Sequence, residues 1–160
     1  MFSGEQIVAE LTEMGITHIV WLPDSTLGQW ESALQDASGM TLVRVCREGE
    51  AWAVAMGLEL GGAKPLVMIQ CTGLFDSGDS LRNALYDYGV PLFAVIGYRN
   101  ALNPAADDSA RTYTEPNLKS WNIEYRLIDS SGKLPELKAH YSTCRQARRP
   151  GAVLIAEGRM

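Results

Sequence analysis

Apolar positions along the chain recur with two alternating periods. Ile7, Val8, Leu11 and Met14 follow helical spacing, and Ser3 with Gln6 three residues later forms the capping box that opens such a helix. Gly15 closes it. Residues 17–21 are a short apolar run that predicts a buried strand; Leu27, Trp30 and Leu34 predict a second helix closed near Gly39, and residues 41–45 a second strand. Residues 48–60 come next, apolar on nearly every side, which predicts a helix buried inside the protein or at an interface. Gly61-Gly62 stops it. Residues 65–69 are a continuous apolar run, as central parallel strands are. Leu81, Leu85 and Tyr88 predict another helix and residues 91–96 another strand. Residues 98–114, rich in Asn, Pro, Asp and Ser, predict a loop. A short helix over 116–121 and a short strand over 124–127 come after it. Leu134, Leu137, Tyr141 and Cys144 predict the last helix, and residues 152–155 the last strand.

Alternating helices and apolar strands predict an α/β fold, a doubly wound parallel sheet with helices on both faces. A chain of 160 residues is long enough for one such domain with a real core, so residues 1–160 are read as a single unit. The amino terminus has no secretory pattern, and no run approaches the ~18 apolar residues of a membrane span. The net charge of −5 and the scattered basic residues argue against a nucleic-acid surface. Cys46, Cys71 and Cys144 form no zinc spacing and are read as buried thiols of a cytoplasmic protein.

In a parallel sheet the chemistry lies at the carboxyl ends of the strands. The first strand-to-helix turn, residues 21–26, carries Pro23, Asp24 and Ser25; Asp24, Ser25 or Thr26 either caps the next helix or also points a polar group into a cleft. The second turn, residues 46–51, places Glu48 and Glu50 at the mouth of the apolar helix. The helix dipole lowers the pKa of a carboxyl there, and desolvation raises it. A neutral buried carboxyl could donate a short hydrogen bond to a ring nitrogen. The third turn, residues 70–78, offers Thr72, Gly73 and Leu74 for close approach to a ligand, with Asp76 or Ser77 as a helix cap. The fourth opens the long loop with Arg99, either an anion ligand or a surface arginine. Gly78-Asp79 with the later Asn100 and Asn103 is a poor diphosphate–magnesium motif, because Ser80 stands where glycine is needed.

Together these turns resemble a known family. Arg47-Glu48-Gly49-Glu50-Ala51, with Gly57 nine residues after Glu48, resembles the glutamate signature of thiamine diphosphate enzymes. In order along the chain, residues 22–25, 70–74, 97–99 and 114–116 resemble the sulfopyruvate and phosphonopyruvate decarboxylase branch. The closing run 149–155 resembles the end of the pyrimidine-binding (Pyr-type) domain of that fold. The resemblance implies an alpha subunit of a 2-oxoacid decarboxylase that binds thiamine diphosphate. Glu48, rather than Glu50, then hydrogen-bonds the aminopyrimidine and promotes loss of the thiazolium proton. Thr72, Gly73 and Leu74 back the cofactor, and Pro23, Asp24, Ser25 and Arg99 face the substrate. The resemblance also implies a diphosphate-binding beta subunit that holds Mg2+, with no metal on this chain, and an alpha/beta heterotetramer or larger assembly.

Two runs depart from the branch. Residues 71–76 read Cys-Thr-Gly-Leu-Phe-Asp where an Asn-Ser-Gly-Leu-Gly-Asn run is usual, and residues 114–118 read Thr-Glu-Pro-Asn-Leu, without the histidine of Asp-Glu-Pro-Gln-His. Phe75 in place of glycine points away from a sulfonate or phosphonate substrate. The same features leave open a carboligase subunit, or a non-catalytic regulatory module that docks on a catalytic partner.

Overall fold

The structure is a computed structural model, and it describes residues 2–157. Helix α1 (Gly4–Glu13) opens with the expected capping box: the Ser3 hydroxyl accepts from the Gln6 N–H and the Gln6 side chain accepts from the Ser3 N–H. Strand β1 (His18–Trp21) comes next, then a 3-10 turn that runs into α2 (Glu31–Asp36). Beyond it are β2 (Thr41–Arg44), α3 (Glu48–Leu60), β3 (Pro65–Gln70) and α4 (Cys71–Asp76). Helix α5 (Gly78–Arg82) continues as a π-helical turn toward β4 (Phe93–Tyr98). The remaining elements are α6 (Ser109–Ser120), β5 (Glu124–Ile128), α7 (Pro135–Ala147) and β6 (Gly151–Ala156).

The six strands form one sheet in the order β2-β1-β3-β4-β6-β5, and every pair is parallel. The two-residue period of a strand sends alternate side chains to opposite faces. Val20, Val67, Ile69, Ala94 and Ile96 pack on one face with residues of α3, α5 and α6. Ile19, Trp21, Met68, Phe93 and Val95 pack on the other with α1, α2 and α7. Both faces are covered, so the inner strands β1, β3, β4 and β6 carry apolar runs, while the edge strands β2 and β5 mix in exposed polar residues. Each fully buried large aliphatic side chain stabilises the fold by about 1.5–3 kcal/mol relative to exposure.

Three expectations are corrected. The region read as a loop contains part of α6, which begins at Ser109 rather than near Pro116. Asp108 caps it by accepting from the Ala110 N–H at 3.0 Å, so the helix starts well before Pro116, which lies inside it and lacks one backbone donor. The third turn is the short helix α4, and neither Asp76 nor Ser77 caps α5 with its side chain. Asp76 pairs with Arg47 at 2.8 Å, and the Ser77 hydroxyl donates to the Gly73 carbonyl at 2.6 Å. Cys46 is exposed because it lies in the open turn after β2; Cys71 and Cys144 are buried.

The segment between β4 and α6 is fixed by one carboxylate. Arg99 donates to Asp108 through Nε (2.9 Å) and Nη2 (3.0 Å), and Asn100 donates to it at 2.7 Å. The Asp108 side chain is 6% exposed, and the Arg99 hydrogen bonds, aided by Asn100, hold its carboxyl well below the usual carboxylate range. A depressed carboxyl stabilises the fold above its unfolded pKa of about 3.9, and this contribution is lost as the pH falls through the folded value. Asp108→Asn is therefore expected to lower stability at pH 7 by about 1–3 kcal/mol. Urea unfolding will show the gap between wild type and variant held constant above about pH 5 and narrowing below about pH 4.

Candidate functional site

The carboxyl ends of β1, β2, β3 and β4 lie along one edge of the sheet, and the four strand-to-helix turns converge there. Glu48 is the first residue of α3, so its carboxyl sits at the positive end of a 13-residue helix. Glu48 is half-buried. Its side chain lies against the backbone of Gly73: a Cβ there would stand 2.5 Å from Glu48 Oε1 and closer still to Cγ. Only glycine admits this approach. No side chain among the described residues hydrogen-bonds the Glu48 carboxyl. Glu50 differs: it accepts from the Cys46 N–H at 2.9 Å and so ties down the start of the helix.

Helix α3 is buried on one side, through Ala51, Trp52 and Ala55. On the other side Ala53 and Gly57 are exposed, and Leu60 is 65% exposed. Of the two sequence expectations for this helix, interior or interface, the interior one is corrected. The α3 residues that pack on the sheet are on one side only, and a bare apolar side remains.

Neither the 3-10 turn nor α2 has a side-chain cap, so the cap expected of Asp24, Ser25 or Thr26 is corrected: Asp24 instead ties down its own turn and leaves a polar atom free. Asp24 Oδ1 accepts from the N–H groups of Thr26 (2.7 Å) and Leu27 (2.8 Å). Asp24 Oδ2 is buried with no hydrogen-bond partner. Burial pushes this carboxyl up, against the opposing pull of the two N–H groups and the nearby Trp21 indole. The Trp21 indole N–H lies near this carboxyl, and neither it nor Asp24 Oδ2 reaches hydrogen-bond geometry. Pro23 and Ser25 are exposed on the same turn. The turn can fold across the sheet edge because Gly97 has no side chain: a Cβ there would meet Thr26 Cγ2 at 2.9 Å.

On α4, Gly73 and Leu74 are buried and Thr72 is half-buried. Thr72 and Phe75 line a cleft of about 420 Å3 with Arg99, Ser109, Ala110 and Tyr113. Arg99 reaches this cleft with two of its donors, Nε and Nη2, engaged by Asp108, which balances its charge. Burial pushes the Cys71 thiol up, beside Thr114 and Arg99. The structure thus brings Glu48 and Gly73 together, sets Thr72 and Arg99 on the α6 side of α4, and leaves Pro23 and Ser25 on the turn after β1.

Sequence reasoning missed three residues here. Gln70 ends β3 with a buried, unpartnered Oε1; a polar residue closing an apolar run was its signal. Asp108 was hidden in a polar stretch, although Asp-Ser before an unrecognised helix is a cap signal. Tyr113 lay in the supposed loop. Asp79, part of the poor diphosphate motif, is exposed and pairs with Arg82 at 2.8 Å. Among the described residues no three His, Cys, Asp or Glu side chains gather to hold a metal ion, and no helix is long and apolar enough to cross a membrane.

Comparison with known proteins identifies the family. Residues 1–116 match the family described as "Thiamine pyrophosphate enzyme, N-terminal TPP binding domain". The phosphonopyruvate decarboxylase of Streptomyces viridochromogenes is 27% identical over 150 residues, which are 91% of this chain and 37% of that protein. The sulfopyruvate decarboxylase subunit alpha of Methanococcus maripaludis is 26% identical over 127 residues, 78% of this chain and 76% of that subunit. The chain therefore spans a little over a third of the first relative and most of the second. A crystal structure of benzoylformate decarboxylase from Polynucleobacter necessarius superimposes with a TM-score of 0.74 at 19% identity, over 98% of this chain and 30% of that one; this shows a shared fold. By the match of its first 116 residues, with relatives in the sulfopyruvate and phosphonopyruvate decarboxylase branch, the chain belongs to the thiamine pyrophosphate enzymes and carries their N-terminal TPP-binding domain.

Proposed function

We propose that this chain is the pyrimidine-binding part of a thiamine-diphosphate-dependent 2-oxoacid decarboxylase, and that Glu48 is its catalytic carboxyl. One observation carries the reading: the Glu48 side chain is pinned on the Gly73 backbone, half-buried, with no hydrogen bond from any described side chain. A carboxyl held in place and left without a partner is suited to a ring nitrogen. Bound thiamine diphosphate would supply the carbanion that attacks the 2-oxo group and stabilise the charge left when carbon dioxide departs. Glu48 would hold a proton at the pyrimidine nitrogen. Gly73 would keep the carboxyl at its position, and Thr72 and Leu74 would back the ring. Pro23, Asp24 and Ser25 would form the substrate side, with the free Asp24 Oδ2 as a polar contact. Arg99 would contribute through its pair with Asp108.

The diphosphate and Mg2+ belong, in this reading, to a diphosphate-binding domain on a partner chain. The bare side of α3, with Ala53, Gly57 and Leu60, is the apolar surface such a partner or a second copy would cover. The α3 helix would then join two tasks, catalysis at its first residue and docking along its exposed side.

Two substitutions test the reading. Glu48→Gln preserves size and leaves the fold and the assembly intact, but it removes the proton-holding group. Carbon dioxide release by the assembled enzyme is expected to fall by about 10²–10⁴-fold, and near-normal turnover would refute the assignment. Gly73→Ala places a methyl where Glu48 lies. The chain still folds, because the clash is with the end of a flexible side chain, but displacing the carboxyl by about 1 Å costs on the order of 10² in kcat. Circular dichroism and turnover measured on the same preparation separate the two effects.

A further inference from the structure

We propose that the cleft between α4 and α6, lined by Thr72, Phe75, Arg99, Ser109, Ala110 and Tyr113, is a subsite for the planar apolar tail of a 2-oxo acid. This inference rests on the decarboxylase reading and names its substrate class. Three observations lead to it.

The first is the pair of exposed aromatics. Phe75 is 39% exposed and Tyr113 is 60% exposed, and both line the same cleft. Large apolar side chains left open to solvent at one cleft mark a place where apolar surface is to be buried. A ring inserted against them gains area burial and favourable aromatic geometry. The second is size. About 420 Å3 falls within the range of small-molecule sites, roughly 300–1,000 Å3.

The third is charge. A sulfonate or phosphonate tail carries negative charge that requires a compensating cation. Arg99 is the one cation among the residues that line the cleft. It is held by Asp108 through both Nε and Nη2, and Asp108 is almost wholly buried, so the pair brings no net positive charge to the cleft. An anionic tail would meet a guanidinium whose charge Asp108 already balances, with only its remaining N–H donors to offer. An apolar tail leaves the pair intact. The cleft adjoins the catalytic carboxyl through α4: Gly73 faces Glu48, and Thr72 and Phe75 of the same short helix face α6.

The test has a binding arm and a turnover arm. In the first, the 160-residue chain is titrated with 3-phenylpropanoate and with 3-sulfopropanoate, monitored by NMR. The phenyl compound is expected to bind at least about tenfold more tightly, and Tyr113→Ala or Phe75→Ala to weaken it by about tenfold, the scale of one aromatic contact. Tyr88→Ala, exposed at the opposite edge of the sheet, serves as the control and leaves binding unchanged. In the second arm, the assembled enzyme is expected to favour phenylpyruvate over 3-sulfopyruvate in kcat/KM, and the two variants to raise KM for phenylpyruvate with kcat retained. Tighter binding of the sulfonate, or no effect of either variant, overturns the subsite. So does loss of the partner chain from both variants, which would assign the aromatics to an interface. Turnover with 3-sulfopyruvate preferred overturns the subsite and leaves the decarboxylase reading standing. Phenyl binding without turnover of any 2-oxo acid overturns the decarboxylase reading and leaves the subsite.

Discussion

The contact between the Glu48 side chain and the backbone of Gly73 constrains two turns at once. Glu48 comes after β2 and Gly73 after β3, strands separated in the sheet by β1. For the two to touch, α3 must start close over the sheet edge and α4 must begin immediately after β3, with no loop between. The missing Cβ at Gly73 permits this, and the 2.5 Å that a Cβ would leave to Glu48 Oε1 means that no other residue does so without moving the carboxyl. The carboxyl therefore lies against backbone with no hydrogen bond from any described side chain, and a ligand can become its partner.

The same edge shows how a parallel sheet sorts its polar groups. The strands are largely apolar, and the polar atoms begin where they end: Gln70 on β3, Asp24 after β1, Arg99 after β4. Some are fully satisfied. Asp108 takes hydrogen bonds from Arg99, Asn100 and the Ala110 N–H, and this turns a long segment into a fixed wall of the cleft. Others are not. Asp24 Oδ2 and Gln70 Oε1 are buried and unpartnered. Buried polar atoms are normally satisfied, so exceptions at the carboxyl edge that carries Glu48 fit a site that a ligand completes.

Much of this was legible in the residues. The alternation of apolar runs and helical spacing placed every strand, because burial on both faces of a parallel sheet leaves a strong signal. The capping box at Ser3 and Gln6 is legible atom for atom. Glu48 stands out because an acidic residue opens a helix of apolar residues. The features hidden from the sequence are those set by long-range contacts. Helix α6 is polar and contains Pro116, so its local signal is that of a loop; it forms because Leu118 and Ala110 pack into the core and Asp108 caps its start. The role of Asp108 depends on Arg99, nine residues earlier, folding back on it. Glycine at 73 could be seen to allow close approach, but that the approaching group is Glu48 is a tertiary fact.

Helix α3 links the edge that carries Glu48 to the outer surface. Its inner side is set by Ala51, Trp52 and Ala55, which lock it to the sheet, and its first residue is thereby locked too. Its outer side offers Ala53, Gly57 and Leu60 to solvent. Surface helices usually carry charges along that side, and here, beyond Glu50 in the first turn, small and apolar residues leave room for a close neighbour. Any surface that covers them bears on the same rigid helix that fixes Glu48. In the function proposed above, docking and cofactor activation would share one helix, with Glu48 at its first residue and Ala53, Gly57 and Leu60 along its exposed side.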